Sequence, residues 1–449
     1  MLRALRNRNY RLFFVGQGVS LVGTWMQGVA LPWLVYRMTG SVILLGVVGF
    51  TGQILSLVAA PAAGVVADRA NRHRLVVGAQ VAAALQAAVL AVLALAGVIA
   101  VWHIIVLSLV GGLIRGFEIP FRQAFIVEML DDPQDLPNAI ALNSFLVNGA
   151  RLIGPAVAGF LVGWFGEGIC FLVNAVSFLA VVAALLAMRL RPRPRRVHAT
   201  HPLRDLKEGL LYVAGSPPIR AVLLLMSLLS LLAIPYSILL PVFAREVLQG
   251  GPHTMGFLVS SAGVGAILGA AFLATRRTVL GVPRLLVVAS ALFGIGVIAF
   301  SLSTQLHLSM AFLAVAGFGL MVHMASSNTL LQTVADEDKR GRVMSFYTVA
   351  FMGMVPLGSL IAGAMAKALG APGTVLACGA ASMVGSVVFA AALGRIHRAL
   401  RPVLEAKGFL VPASGISTPI PAAGAAPVAG PEPPALDDSA DPGAPGPPH

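Results

Sequence analysis

Charged side chains inside apolar stretches are the residues of this sequence whose chemistry is most informative. Arg115, Glu118 and Arg122 are spaced i, i+3 and i+7 in one apolar segment, so they share one face of a helix. Arg151 lies well inside the next apolar segment. Ionised groups in such surroundings are costly, and they usually face the protein interior in pairs. Glu118 is therefore either a proton-binding site or the anion of a permanent ion pair with one of these arginines.

The composition places these charges in a polytopic membrane protein. Apolar residues make up 57% of the 449 residues and charged residues only 11%, against roughly 25% in soluble domains. Several apolar segments approach the length that a helix needs to cross a bilayer. We predict an all-α integral membrane protein with twelve spans, which in chain order are 12–36, 42–67, 75–97, 102–121, 139–165, 169–190, 219–243, 255–274, 285–302, 308–334, 343–369 and 374–395.

The polar stretch between spans 2 and 3 carries a second group of charges. Its sequence is Gly-Val-Val-Ala-Asp-Arg-Ala-Asn-Arg-His-Arg over residues 64–74, and charge at this place requires a turn at the membrane surface. The pattern resembles the loop between helices 2 and 3 of the major facilitator superfamily. The matching residues are Gly64, Asp68, Arg69, Arg72 and Arg74.

The resemblance implies that this loop is a gating motif. Asp68 would face the start of span 11 near residues 342–345, and Arg72 would bridge to Glu128 or Asp131. The family has glycine where this chain has Asn71, and asparagine is the next most tolerant of a left-handed backbone. Gly64 would let span 2 end in close packing.

A closer resemblance runs from span 4 to span 6. Residues 115–125 (Arg-Gly-Phe-Glu-Ile-Pro-Phe-Arg-Gln-Ala-Phe), 139–144, 150–159 and 174–178 resemble the drug, macrolide and siderophore exporters of the superfamily, which include enterobactin exporters. Gly154, Pro155 and Gly159 resemble an element of span 5 associated with antiporters, although Ala158 replaces one of its paired glycines. Independently of the resemblance, small residues on this face allow close helix packing, and Pro155 is expected to bend the span.

The chain divides into two six-span halves, residues 1–190 and 219–401. Between them, residues 191–218 form a cytoplasmic linker that holds either an amphipathic helix over 202–215 or a partly disordered segment. Residues 402–449 are predicted to be a disordered cytoplasmic tail. Internal repetition of this kind is typical of secondary transporters. The residues that recur at an offset of 204 are Gly154 as Gly358, Gly159 as Gly363, Gly166 as Gly370 and Asp132 as Asp336.

The distribution of bases predicts the orientation. With the N-terminus in the cytoplasm, 26 of the 31 lysines and arginines fall on the cytoplasmic side and only Arg37, Arg245 and Lys367 fall outside. Both termini are therefore predicted to be cytoplasmic. The same asymmetry explains the net charge of +13 without a nucleic-acid partner.

Polar residues at helical intervals on span 1 mark a candidate substrate cavity. In the resembling fold, spans 1, 4, 7 and 10 line a central cavity, although single serines and histidines often only satisfy hydrogen bonds between packed helices. A cavity of amides and aromatic rings with few charges suits a bulky amphiphile. The candidate residues are Gln17, Ser20, Thr24, Gln27, Tyr236, His323 and Asn328.

The predicted function is secondary active export of amphiphilic small molecules by rocking of the two halves. The sequence has no phosphate loop, no His-Glu-x-x-His and no Gly-x-Ser-x-Gly elbow, so we expect neither an enzyme nor an ATP-driven pump. We expect no cofactor, metal or disulfide, and a monomer that contacts only its substrate and the lipid bilayer. The alternatives are a lipid or lysophospholipid flippase of the same fold, and a solute sensor that does not transport.

Overall fold

The apolar segments form long helices, because a backbone in lipid must satisfy its hydrogen bonds internally. The computed structural model describes residues 3–190, 202–276 and 281–407, without the side chains of residues 65, 68, 133 and 202–207. Every regular element in these ranges is helical, and ten helices are long and apolar enough to span a membrane. The helices are α1 (Arg8–Thr39), α2 (Val42–Arg69), α3 (Arg72–Leu95), α4 (Val101–Ile126), α5 (Leu136–Leu186), α6 (Pro202–Gly215), α7 (Pro217–Val247), α8 (Pro252–Ala274), α9 (Val282–Ser301), α10 (Leu306–Val334) and α11 (Arg340–Ala406).

The two longest helices are each broken by one glycine. Gly166 in α5 has φ 82° and Gly370 in α11 has φ 73°, a left-handed conformation that favours glycine. Each helix therefore supplies two spans, so the ten helices form the twelve spans that the sequence predicts. These glycines are one of the pairs that recur at an offset of 204 residues, and the repeat places the same sharp turn in both halves.

Small residues bring the two halves into contact. Spans 1, 2, 3 and 4 pack against one another and against α5, while α8, α9, α10 and α11 pack together in the second half. Across the molecule, α5 packs against α8 and α2 against α11. A methyl group built on Gly46 of α2 would lie 2.7 Å from the backbone oxygen of Ser359 and 3.2 Å from Cα of Gly363. The two helices thus approach at backbone distance.

The polar loops and chain ends lie at two faces of the bundle. The first described residues and the α2–α3 loop lie at one face, here called the basic side, together with the start of α11. The turns at Gly166 and Gly370 and the α1–α2 loop lie at the opposite face, called the far side. The halves meet through α2, whose far-side end contacts Gly363 and whose middle residue Leu57 contacts Gly353.

The linker contains a helix with the bounds that the amphipathic pattern predicts, Pro202–Gly215. It lies against the start of α11, where the Tyr212 hydroxyl donates to Oδ2 of Asp336 at 3.0 Å and Glu208 pairs with Arg342 at 2.9 Å. Residues 191–201 of the linker lie outside the described part of the chain. The attachment to α11 shows that α6 is held by the second half.

The predicted boundary of the tail is corrected by the structure. Residues 402–406, assigned to a disordered tail, form the last turns of α11, with Leu404 buried. The Lys407 ammonium donates to the carbonyls of Thr333 and Ala335, at 2.7 and 2.8 Å, and so caps the end of α10. The rest of the predicted tail, residues 408–449, lies outside the described residues.

Candidate functional site

Arg72 joins the ends of three helices on the basic side. Its Nε donates to the carbonyl of Ala67 at 3.1 Å, and its Nη1 lies 3.5 Å from the carbonyl of Ala124. These carbonyls belong to the last turns of α2 and α4, where a cation is favourable. Nη1 also lies 3.4 Å from Oε1 of Glu128, which confirms one of the two partners expected for Arg72.

Two local expectations about the loop are wrong. Asn71 has φ −72° and ψ 108°, an extended conformation, and its side-chain oxygen accepts from the backbone N–H of Arg74 at 3.2 Å. It is therefore the N-cap of α3 and does not supply a left-handed backbone. A methyl group built on Gly64 would meet no atom within 4 Å, so this glycine does not serve close packing.

The remaining motif residues lie around the end of α2. Arg69 and Arg74 are exposed on the basic side. Asp68 is in the last turn of α2, but its side chain lies outside the described part of the structure. Its approach to residues 342–345 therefore stays a prediction. His73 adds a contact that the sequence did not indicate, since its Nε2 lies 2.9 Å from the carbonyl of Leu185 at the end of span 6.

Glu118 pairs with Arg122 on the same helix. Nε of Arg122 donates to Oε1 of Glu118 at 2.7 Å, and the two side chains are 10% and 14% exposed, respectively. Gln80 of α3 donates to the same carboxylate oxygen at 3.3 Å, and Nη1 of Arg122 donates to Asn143 of α5 at 3.3 Å. The pair thus links spans 3, 4 and 5. This geometry favours the structural interpretation of Glu118.

The other two intramembrane arginines have different neighbours. Nη2 of Arg115 donates to the carbonyl of Gly52 in α2 at 2.6 Å, and the side chain is otherwise accessible. The guanidinium of Arg151 lies 5.8 Å from the ring centroid of Trp25 in α1, a cation–π distance. The ion pair described above is therefore formed by Arg122, and Arg151 links α5 to α1 through an aromatic ring.

The small residues of span 5 serve packing on two sides. A methyl group on Gly154 would lie 2.6 Å from Cβ of Trp25, and one on Gly159 would lie 2.8 Å from Cα of His253 in α8. Pro155 is buried between these positions, and α5 remains helical through it. Gly154 therefore allows the approach of α1 within the first half, and Gly159 allows the approach of the second half.

A cavity of about 240 Å³ lies among spans 1, 2, 3, 4 and 6 and is touched by one residue of α7. Its polar wall is a chain of amides. Asn174 donates to Gln27 at 2.7 Å, Gln27 to Gln86 at 3.3 Å and Gln86 to the carbonyl of Leu107 at 3.1 Å. The lining residues that bear on function are Thr24, Gln27, Gln53, Gln86, Arg115, Asn174 and, from α7, Ile238.

Only part of the predicted polar stripe reaches this cavity. Thr24 and Gln27 line it, whereas Gln17 and Ser20 are 3% and 1% exposed and do not. Gln86 of span 3 and Asn174 of span 6 replace them, although the resemblance assigns the cavity to spans 1, 4, 7 and 10. A lone amide in an otherwise apolar span was the available signal for both residues.

The predicted cavity residues of the second half lie elsewhere. Tyr236 is buried in α7, with its ring 6.1 Å from that of Phe293. His323 is fully buried in α10. Asn328, one turn further along α10, accepts from Gln332 at 2.5 Å. None of these three lines the described cavity, because their helix faces turn into the packed second half.

The far side is closed by contacts that the sequence analysis missed. The Tyr36 hydroxyl, at the end of α1, donates to Oε1 of Glu246 at the end of α7. Arg37 forms a two-pronged ion pair with Glu167, at 2.7 and 3.1 Å. The first contact joins the two halves, and the second joins α1 to the turn at Gly166. Both depend on tertiary structure, so spacing along the sequence did not indicate them.

These features define a class. Two six-span halves related by a repeat, packed through small residues around a mid-membrane cavity, are the architecture of a multi-pass membrane transporter. Residues 1–405 match the family described as "Transmembrane secretion effector". The chain belongs to this family, which confirms the resemblance to the major facilitator superfamily.

Characterised relatives are efflux proteins by name. The staphyloferrin A transporter of Staphylococcus aureus is 26% identical over 386 residues, covering 84% of this chain and 95% of that protein. The multidrug efflux pump Tap of Mycolicibacterium fortuitum is 26% identical, covering 81% and 88%. The macrolide efflux protein A of Streptococcus pyogenes is 23% identical, covering 82% and 95%. The relatives thus match over nearly their whole length.

Solved structures share the fold at low identity. The nucleoside transporter NupG has a TM-score of 0.67 at 14% identity, over 86% of this chain and 99% of that chain. A bacterial homologue of the iron transporter ferroportin, in an inward-facing state, has a TM-score of 0.63 at 17% identity, over 85% and 98%. These likenesses establish the fold of the chain.

Proposed function

We propose that this protein is a secondary active transporter that exports amphiphilic small molecules from the cytoplasm by alternating access. The observation that carries the proposal is the polar cavity at mid-membrane beneath a far side that is closed between the two halves. The names of the relatives point to a drug, a macrolide or a siderophore as the kind of substrate. A monomer in the plasma membrane is sufficient for this cycle, because both halves belong to one chain.

The basic side is proposed to face the cytoplasm. Positively charged loops are retained on that side of a membrane, and the described bases Arg3, Arg69, Arg72 and Arg340 all belong to it. The closed far side then faces out of the cell, and the state described here opens inward. Export requires the opposite opening, in which the contacts of Tyr36 and Gly159 separate.

The α2–α3 loop is proposed to control that transition. Arg72 fixes the ends of α2 and α4 to each other, so both move as one body with the first half. Asp68 is the motif residue free to engage span 11 when the basic side closes. A carboxylate at a helix N-terminus is stabilised by roughly 0.3–1 kcal/mol, more where it is partly buried.

Transport is proposed to draw on an ion gradient or on the gradient of the solute, since the sequence has no ATP site. The contacts of Glu118 support a role as the structural partner of Arg122, and the coupling ion then binds elsewhere or is absent.

Accumulation in bacteria that lack their main efflux pumps tests the function. Cells that express the wild-type protein should retain less of a macrolide or a fluorescent dye than cells with an empty vector. Asp68→Asn should raise retention without lowering expression, whereas Asp131→Asn, an exposed acid on the same side, should not. Equal retention in wild-type and empty-vector cells across a panel of macrolides, chelators and dyes would remove the proposal.

A further inference from the structure

Arg115 gives the cavity a positive character. Of the described residues that line the cavity, Arg115 alone carries a charge. A guanidinium has five N–H donors, and its one described hydrogen bond is the 2.6 Å contact with Gly52. The side chain is accessible although it lies well inside α4. Donors therefore remain that point to no described acceptor.

The acid nearest to it in sequence does not cancel this charge. Glu118 lies one turn further along α4, and its carboxylate is engaged by Arg122 at 2.7 Å. The three ionised groups on this helix face thus carry a net charge of one positive unit. A net charge at mid-membrane is costly unless water or an anion compensates it.

The amide chain adds donors next to this charge. The side-chain oxygens of Gln27 and Gln86 each accept a hydrogen bond from another amide, and that of Asn174 accepts from Ser177. Each amide NH₂ group uses one of its two N–H bonds in these contacts and retains the other. A methyl group on Gly111 would lie 3.4 Å from Nε2 of Gln86, which places the amides about one turn of α4, roughly 6 Å, from Arg115.

We propose that this cavity binds an oxyanion head group of the transported amphiphile, a carboxylate or a phosphate monoester, through Arg115 and the amide N–H groups. The volume of about 240 Å³ admits a head group, while whole drug-sized ligands occupy roughly 300–1,000 Å³. The apolar body of the ligand would leave past Ile238, the lining residue from the second half. The inference rests on the proposed function and adds the chemistry of the recognised group.

Guanidinium groups bind oxyanions through paired hydrogen bonds, which are roughly twice as strong as neutral ones. A lysine keeps the charge but loses the paired geometry. The cavity should therefore prefer an anionic ligand to a neutral one of the same shape, and the preference should depend on the type of base at position 115.

Four probes with one dansyl-labelled alkyl chain test this preference. They end in a carboxylate, a phosphate monoester, a primary amide or an ammonium group, and their binding to purified full-length protein is titrated by fluorescence. The wild-type protein should bind at least one anionic probe about tenfold more tightly than the amide probe. Arg115→Gln should remove this preference while retaining the amide probe, and Arg115→Lys should keep part of it.

Arg276→Gln is the matched control. Arg276 is exposed at the end of α8, where it stacks on Phe272, and it does not line the cavity. Its replacement should leave the preference unchanged. The source of the anion follows from the two anionic probes, since a soluble carboxylic amphiphile predicts tighter carboxylate binding and a lysolipid predicts tighter phosphate binding.

Several results would overturn the inference: equal binding of all four probes, a preference for the ammonium probe, no binding of either anion, or an Arg115→Gln protein that keeps the preference. The wild-type titration alone decides the first three, even if a variant fails to fold. Flux of the same probes in liposomes separates the two proposals. Anion-selective binding without protein-dependent flux would reject the transport function only, and flux without anion preference would reject the inference only.

Discussion

Glu118 and Arg122 form an ion pair one helical turn apart on α4, with 2.7 Å between Oε1 and Nε. The pair reaches beyond its own helix, because Gln80 of α3 donates to the carboxylate and Arg122 donates to Asn143 of α5. The most buried acid of the first half's interior is thus part of a junction among three spans.

Glu118→Gln should destabilise the protein. The change leaves the guanidinium of Arg122 nearly buried without its anion, and breaking one member of a buried pair costs about 3–5 kcal/mol. The midpoint of thermal unfolding in detergent should fall by several degrees. A second replacement, Arg122→Met, should recover much of the loss, because it removes the unpaired charge.

The same variant separates the two hypotheses for Glu118. A stable Glu118→Gln protein that keeps substrate counterflow but no longer responds to a pH gradient would assign the residue to proton coupling. Loss of both stability and counterflow is the result expected of a structural ion pair.

Tyr36→Phe should open the far side. It removes the hydrogen bond to Glu246 that joins α1 and α7, and a hydrogen bond to a charged group contributes roughly 1.5–3 kcal/mol. Spin labels on cysteines introduced at Met38 and Gln249 should show a larger fraction of long distances. The native cysteines are buried and should remain unlabelled.

Tyr212→Phe controls for the loss of a hydroxyl. It breaks the contact with Asp336 on the basic side, so the distances between the far-side labels should not change. Identical distance distributions for Tyr36→Phe and the wild type would show that the hydroxyl does not hold the far side closed.

Gly159→Ala should impair the cycle more than Gly163→Ala. The new methyl group at 159 would lie 2.8 Å from Cα of His253 and 3.0 Å from the carbonyl of Pro252, both backbone atoms of α8. The closed seam must then open, at a cost of about 1–3 kcal/mol. At Gly163 the methyl group meets no atom within 4 Å. Transport rates in liposomes compare the two, and equal rates would show that the seam tolerates added volume.

The sequence predicted the features that the membrane itself dictates. Span positions follow from apolar length, and the turns at Gly166 and Gly370 follow from a repeated glycine that only a left-handed turn requires. The cavity was only half predicted, because periodicity shows which face of α1 is polar but not which helices close over it. Gln86 and Asn174 each stand alone in an apolar span, so only the fold shows that they meet.

Asn71→Ala should cost about 1 kcal/mol, whereas Asn71→Gly should cost only a few tenths. The reason is that Asn71 caps α3 from an extended backbone, with its side chain accepting from the N–H of Arg74. Thermal midpoints of the two variants measure the difference. Stabilisation by glycine would instead favour the left-handed conformation that the sequence first suggested.

Substrate counterflow tests the central claim most directly. Liposomes that contain the purified protein are loaded with an unlabelled macrolide or with the carboxylate probe, diluted, and given a trace of the labelled compound outside. An alternating-access carrier predicts a transient accumulation of label above its equilibrium level, without ATP and only in liposomes that contain the protein. Entry of label at the same rate in protein-free liposomes, with no transient accumulation for any compound that expressing cells expel, would contradict the account.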